Sequence, residues 1–460
     1  MSRVFKFQAT LSAGYHDGKP QSFFVYGDMG DWDIKPLGAL PDNRTATTAE
    51  LMRQDMDDGQ HNWLLALHDG DISYAKGRTF LWDQFGSIIE PVAAELPYIV
   101  GVGNHDYCYH QGGIGKDPSG AGLTNGFHPQ NAPDDCSSGG ECGVPLSKRF
   151  IMPNNATGNA FDVGLMHHVM LSGEHDYTTG SPMYNWLLND LMRVDRVKTP
   201  WLFVHIHRPM YCSEQYEADY QLSVYIRKHL EPLMAAFGVD VVFSGHYHAY
   251  ERTCPVFQEQ CRSSPLGYGE LEKAQAPVHI MVGSAGAYVD TAGYYDVEWS
   301  AKAMQTYGYG RMHVYNATHA LYEFKSNEQR NVTDSSWIIS DHTWHKDVLI
   351  KDKSVFGEPL TDHPVTKRVE TEEMKWRRHK QEEELLGMYV ETIEDLNKAV
   401  DEKIVAADRD QFTRRPPSDA VLSAAVAGRA RKPKEPMMTM QSLTLAPEEK
   451  SDDDNDSDWQ

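Results

Sequence analysis

Short apolar runs separated by polar, glycine-rich loops recur from about Phe5 to Ile350. Six of them read as strands buried on both faces: Phe23–Tyr26, Leu64–Leu67, Tyr98–Val100, Trp201–Val204, Val239–Phe243 and Val278–Val282. Between some of these lie helical patterns, such as Tyr184–Val194 and Leu222–Phe237. Strands and helices in this mixture predict a layered α/β domain over residues 1–350. The stretch Asp106–Gly143, rich in Gly, Ser, Pro and Asn, reads as an irregular insertion. Beyond residue 350 the pattern changes. Residues 351–413 predict a charged helical extension, since Glu370–Asp408 is dense in Glu, Lys and Arg around a thin apolar stripe that includes Leu385, Leu386 and Ile393. Residues 414–460 turn to Pro, Ala, Lys and Met and then to acid, which predicts a disordered tail.

Charge narrows the partners. The 460 residues carry a formal net charge of −23, the wrong sign for a nucleic-acid backbone or an anionic membrane surface. Part of the excess is local, with seven acids and one lysine between Glu448 and Asp458. No apolar run reaches the roughly 18 residues that a membrane span needs, and Met1–Gly14 holds no continuous apolar core of a secretory signal. Six cysteines (108, 136, 142, 212, 254 and 261) and sequons at Asn155, Asn316 and Asn331 point the other way, toward an oxidised glycoprotein. Cys136/Cys142 and Cys254/Cys261 are near enough to close small loops, but spacing alone leaves the pairing open.

The candidate chemistry sits where strands end. Five runs finish in clusters of metal-binding residue types: Gly27-Asp28-Met29-Gly30, Gly70-Asp71-Ile72-Ser73-Tyr74, Gly103-Asn104-His105-Asp106, His205-Ile206-His207-Arg208-Pro209 and Gly245-His246-Tyr247-His248. Ligands of α/β sheets gather at the carboxyl ends of strands, so clusters far apart in sequence are expected to converge. A glycine before the ligand lets the backbone turn and approach closely. Each cluster alone has an ordinary reading: Asp28 as a turn residue, His207 or His246 as a hydrogen-bonded interior histidine. Together, with His246 and His248 two apart, they favour a metal site. Two cations about 3.5–4 Å apart lower the pKa of a bound water and clamp phosphoryl oxygens, which is what hydrolysis of a charged phosphate ester requires. Holding such a pair takes a bridging carboxylate, and Asp71 is the natural bridge.

At these residues the sequence resembles the calcineurin-like metallophosphoesterase superfamily and, within it, the purple acid phosphatases. The distinction rests on Gly30 standing where most of the superfamily has histidine, and on Tyr74 standing where most has another residue. Trp82-Asp83-Gln84-Phe85, Gly140–Pro145, Gly173-Glu174-His175-Asp176, His207–Tyr211 and Gly308-Tyr309-Gly310 extend the likeness over about residues 21–340. The resemblance implies a four-layer fold, a β-sandwich flanked by helices. It implies Fe(3+) at Asp28, Asp71, Tyr74 and His248, with the Tyr74 phenolate giving the colour. It implies Zn(2+), Mn(2+) or Fe(2+) at Asp71, Asn104, His207 and His246. His105 would face the phosphate as catalytic residue, with Asn104, His175 and Arg208 as weaker contacts to substrate. His167-His168 reads as structural.

The implied reaction is acid phosphatase hydrolysis of small phosphate monoesters, a metal-bound hydroxide attacking in line with no phosphoenzyme. Two departures stand out. Plant members carry further histidines shortly after the position of His207, whereas Tyr211–Glu217 has none; Tyr216 and Glu217 are the available substitutes. Large members also begin with a signal and an N-terminal β-domain, so this chain reads as truncated or as one that has lost secretion. By resemblance the compartment is secreted or vacuolar. Three rivals remain in view: a phosphodiesterase or nucleotide pyrophosphatase on the same site, a non-catalytic metal or phosphate-binding protein, and an interaction protein acting through residues 370–410.

Overall fold

A computed structural model of the chain describes residues 7, 9–30, 44–107, 138, 139, 141, 143–152, 158–266 and 272–344. The charged extension and the tail lie outside these residues, as does most of the Asp106–Gly143 insertion. In chain order the elements are β1 (Gln21–Tyr26), α1 (Arg44–Asp57), β2 (Asn62–His68), α2 (Thr79–Ala93), β3 (Tyr98–Val100), α3 (Val144–Arg149), β4 (Gly158–Val163) and β5 (Met166–Leu171). They continue with α4 (Pro182–Leu191), β6 (Trp201–Ile206), α5 (Glu217–Ala236), β7 (Val241–Ser244), β8 (Tyr250–Phe257), β9 (Gln260–Cys261), β10 (Ser263–Pro265) and β11 (Glu272–Ala274). The last are β12 (Val278–Val282), β13 (Ser300–Met304), β14 (Gly308–Val314), β15 (His319–Ser326) and β16 (Val332–Ile339).

Two large sheets result. One runs β16-β15-β14-β1-β2-β3, and the other runs β13-β8-β12-β7-β6-β5-β4 with β9 paired on β8. Alternation along the central strands explains why they stack. On β6, Trp201 and Phe203 join the cluster shared by both sheets, while Leu202, Val204 and Ile206 join a second cluster with α4 and α5. A strand covered on both faces reads as a continuous apolar run, which is how Trp201–Val204 looks in the sequence. Phe23 of β1 meets Phe203 and Phe243 edge-on at 5.5 and 6.0 Å, which places the seam between the sheets. On β1's other side Phe24 stacks on Trp63 at 3.8 Å, and the Trp63 indole donates to the Asp55 carbonyl of α1. Helices therefore flank both sheets, as the layered reading requires.

The helices form where period and caps agree. Ser181 caps α4 by accepting from the Tyr184 amide at 3.1 Å, with Pro182 in the first turn. Along α5, Leu222, Ile226, Leu230 and Leu233 recur at helical spacing and are buried against the second sheet. Both helices start a little before the sequence pattern suggests: α5 because its first turn includes the polar Glu217 and Asp219, and α4 because Pro182 opens it at the first helical position. The edge strand β16 mixes half-buried and exposed residues along most of its length, so no long apolar run marks it in the sequence.

Three sequence features find structural places. Cys254 and Cys261 form a disulfide, and Cys212 is buried and free. Asn316 and Asn331 are exposed. His168 is buried against Phe161 and Phe203, while His167 lies between Asp162 (2.6 Å) and Asp190 (2.9 Å), tying the β4–β5 hairpin to α4. Burial alone would lower the His167 pKa, but the two carboxylates outweigh it and raise the group above its ordinary value. Its stabilising contribution is thus complete below about pH 6.5 and disappears as pH rises through the folded-state pKa. His167→Gln should lower the melting temperature by about 1–2 °C at pH 5.5, the effect of about 1 kcal/mol in a domain of this size. At pH 9 the gap should close, and thermal melts of both proteins at the two pH values check this.

Candidate metal centre

The five clusters follow β1, β2 and β3 of one sheet and β6 and β7 of the other. Within each sheet these neighbours run parallel, so their carboxyl ends share an edge. The two edges are stitched together across the seam. The Gly27 amide donates to the Val282 carbonyl at 2.7 Å, and the His246 amide donates to Asp28 Oδ2 at 2.8 Å. Side chains up to 220 residues apart therefore meet.

The seven residues expected to bind metal form one pocket with two halves. In the first, the Tyr74 hydroxyl donates to Asp28 Oδ1 at 2.8 Å and lies 2.8 Å from His248 Nε2, which is 3.4 Å from Asp28 Oδ1. In the second, the Asn104 amide oxygen lies 2.9 Å from His246 Nδ1 and 3.3 Å from His207 Nε2. Asp71 Oδ2 sits 3.3 Å from His207 Nε2, and donor atoms of Asp71, His207 and His246 all fall within 4.8 Å of one another. Asp71 also faces Tyr74, so it stands between the halves.

Backbone strain marks the same place. Asp28, Asp71, Tyr74 and His246 all have positive φ, at 57°, 52°, 51° and 76°. Such conformations are uncommon outside glycine and tend to cluster at functional sites, where the surrounding structure holds them. Two glycines make the close approaches possible. A Cβ on Gly103 would fall 2.2 Å from Asp71 Oδ1. One on Gly30 would fall 2.3 Å from the Ser73 backbone carbon, so no side chain fits at position 30 while the chain takes this course into Tyr74. That contact gives the glycine at position 30 a steric reason.

The pocket's electrostatics call for positive charge. Burial would lower the His207 and His248 pKa values, yet the surrounding carboxylates raise them, to about 10 and about 9. Tyr74 is pushed far up, first by burial and then by Asp28 and Asp71, so its proton stays on while only protein groups are present. Two protonated histidines and a phenol proton thus do the neutralising that cations do better. Carboxylate, phenol, imidazole and amide are a donor set suited to hard and borderline cations. The residues fit a pair of metal ions.

Orientation is built in around them. The Nδ1–H groups of His207 and His248 donate to the carbonyls of Asp69 (2.8 Å) and Tyr288 (2.6 Å), leaving each Nε2 for the pocket. Asp106 accepts from the amides of Ile72 and Gly103, both at 3.1 Å, and so ties the second cluster to the third. Asp290 accepts from the His248 amide at 2.7 Å. His105 donates its backbone amide to Asp71 Oδ1 at 2.7 Å, and its ring packs 4.4 Å from that of Tyr74. Burial lowers the His105 pKa to about 4.

Of the weaker candidates, Arg208 reaches the centre, with Nη1 3.0 Å from His246 Nε2, and donates from Nε to Glu174 Oε1 at 2.6 Å. His175 instead packs 4.5 Å from the Tyr107 ring with Nδ1 2.8 Å from Ser172. Tyr216, offered as a substitute for the absent histidines, is partly exposed over Tyr247 at 5.9 Å. Sequence reading gave no role to Asp106, Glu174, Asp219 or Asp290. Asp106 and Glu174 sat inside quoted motifs, but an acid that serves backbone amides or another side chain has no spacing signal of its own.

The chain is similar to known proteins. The calcineurin-like phosphoesterase profile matches residues 22–250, and that of the iron/zinc purple acid phosphatase-like protein C domain matches 276–335. Purple acid phosphatase 18 of Arabidopsis thaliana is 33% identical, over 70% of this chain and 63% of that protein. A nucleotide pyrophosphatase/phosphodiesterase of Hordeum vulgare is 29% identical, over 76% of this chain and 89% of that protein. Probable inactive purple acid phosphatase 9 of Arabidopsis thaliana is 34% identical, over 57% and 40%. The chain spans about half the length of the first curated relatives it matches. Among solved structures, a purple acid phosphatase from yellow lupin (Lupinus luteus) seeds superposes with a TM-score of 0.60 at 27% identity, over 75% of this chain and 58% of that one.

Proposed function

The chain belongs to the calcineurin-like phosphoesterases, in their purple acid phosphatase group, and from that premise we propose that it hydrolyses phosphate monoesters at a two-cation centre. The observation that carries this reading is the meeting of Asp28, Asp71, Tyr74, Asn104, His207, His246 and His248 in one pocket. Asp28, Asp71, Tyr74 and His248 would hold Fe(3+), and Asp71, Asn104, His207 and His246 a divalent zinc, manganese or iron. When bound, the pair supplies an acidified water and a clamp on the phosphoryl oxygens. The protein's own part is to orient. Asp71 sets the spacing of the halves, Asn104 presents its amide oxygen, and His105 offers Nε2–H to the phosphoryl or leaving-group oxygen.

Some relatives bear the word inactive in their names. Retention of all seven donors favours activity here over a binding role. A second reading, hydrolysis of phosphodiesters or nucleotides, draws support from the barley relative, most of whose length the chain covers. The Cys254–Cys261 disulfide supports an oxidising, secretory compartment. Residues 370–410, offered as a protein-partner segment, lie outside the described residues.

A visible spectrum with metal analysis, wild type beside Tyr74→Phe, tests the centre. Wild type should hold about two metals per chain and show a broad visible band, and the band should vanish in the variant, which has no phenolate to donate. A colourless wild type with two divalent ions would argue against ferric iron. Rates on p-nitrophenyl phosphate and bis-p-nitrophenyl phosphate then separate monoesterase from diesterase.

A further inference from the structure

The two ring nitrogens of His246 keep different company. Nδ1 faces into the pocket, 2.9 Å from the Asn104 amide oxygen. Nε2 faces out, 3.0 Å from Arg208 Nη1 and 3.3 Å from Asp219 Oδ1. A guanidinium can only donate and a carboxylate can only accept, so a neutral imidazole has two arrangements here. With its proton on Nδ1, the ring donates to Asn104 and accepts from Arg208. With its proton on Nε2, it donates to Asp219 and turns the Nδ1 lone pair toward Asn104 and Asp71. Only the second arrangement offers a lone pair to a cation.

We propose that Asp219 is a positioning residue that selects the His246 tautomer able to bind the divalent ion, against the competing donor Arg208. The inference rests on the two-cation reading and adds to it a residue that no motif marks. Asp219 stands in the first turn of α5, whose apolar face is locked into the core, so its carboxylate is held on a rigid element. Arg208 is itself anchored by Glu174 and lies 3.4 Å from Asp219 Oδ1, which keeps the carboxylate beside the ring. Metal-binding histidines commonly donate their second N–H to a carboxylate in this way, and losing it typically weakens binding about 10–100-fold.

The test compares wild type, Asp219→Ala and Asp219→Asn as full-length chains. Zn(2+) affinity is measured by chelator competition, with iron content, the visible band and the melting temperature alongside. Asp219→Ala should bind Zn(2+) about 10–100-fold more weakly while iron and the band persist. Asp219→Asn should stay close to wild type, because its amide oxygen still accepts from Nε2–H. Wild-type affinity in Asp219→Ala would overturn the inference and leave the two-cation reading intact. Equal losses in both variants, with iron and melting temperature falling together, would make the role merely structural and also overturn it. A wild type that binds no second ion would sink the reading and this inference with it.

Discussion

Asp71→Ala is expected to release both cations and to abolish turnover. Asp71 is the group that reaches both halves of the pocket, facing Tyr74 on one side and His207, at 3.3 Å, on the other. Its second oxygen accepts the His105 amide at 2.7 Å, so the carboxylate also fixes the backbone that carries His105. Loss of the metals forfeits several kcal/mol of transition-state stabilisation, and at about 1.4 kcal/mol per tenfold kcat/KM should fall about 10⁴-fold. Fold stability should also fall, because the buried His105 amide loses its acceptor, which costs about 1–3 kcal/mol, and His207 loses the carboxylate that favours its charged form. Metal analysis, kinetics on p-nitrophenyl phosphate and a melting curve read all three effects. Two metals retained per chain in a folded variant would show that Asp71 does not bridge.

His105→Ala is expected to do the opposite of Asp71→Ala with respect to metal: the ions stay and the rate falls. Its ring lies against Tyr74 with Nε2 3.8 Å from Asp71 Oδ2, beside the donor pocket and not within the donor set. A positioned group that stabilises or protonates the reacting oxygens typically contributes about 10²–10⁴-fold, so kcat should fall by that range. The visible band should hardly change. Steady-state kinetics with metal analysis separate the cases, and a loss of metal equal to the loss of rate would mean that His105 acts by supporting the centre.

The sequence by itself determined the parts of this protein that are local or repeated. Buried strands such as Trp201–Val204 announce themselves because packing on both faces demands apolar residues at every position. The metal-binding residue types are legible because each follows such a strand, after a glycine at Asp28, Asp71, Asn104 and His246 and directly off the strand end at His207. Gly30 and Tyr74 are visible as letters, although the reason for the glycine, the path of the Ser73 backbone, is not.

Only the tertiary structure decided how those residues divide. That β1–β3 and β6–β7 lie in different sheets, joined end to end by Gly27–Val282 and His246–Asp28 contacts, depends on sheet order, which no local pattern encodes. The outer partners Asp106, Glu174, Asp219 and Asp290 were invisible for the same physical reason. A carboxylate's role is set by what the fold brings within about 3 Å of it, and the groups it meets here come from as far as 42 residues away in the chain.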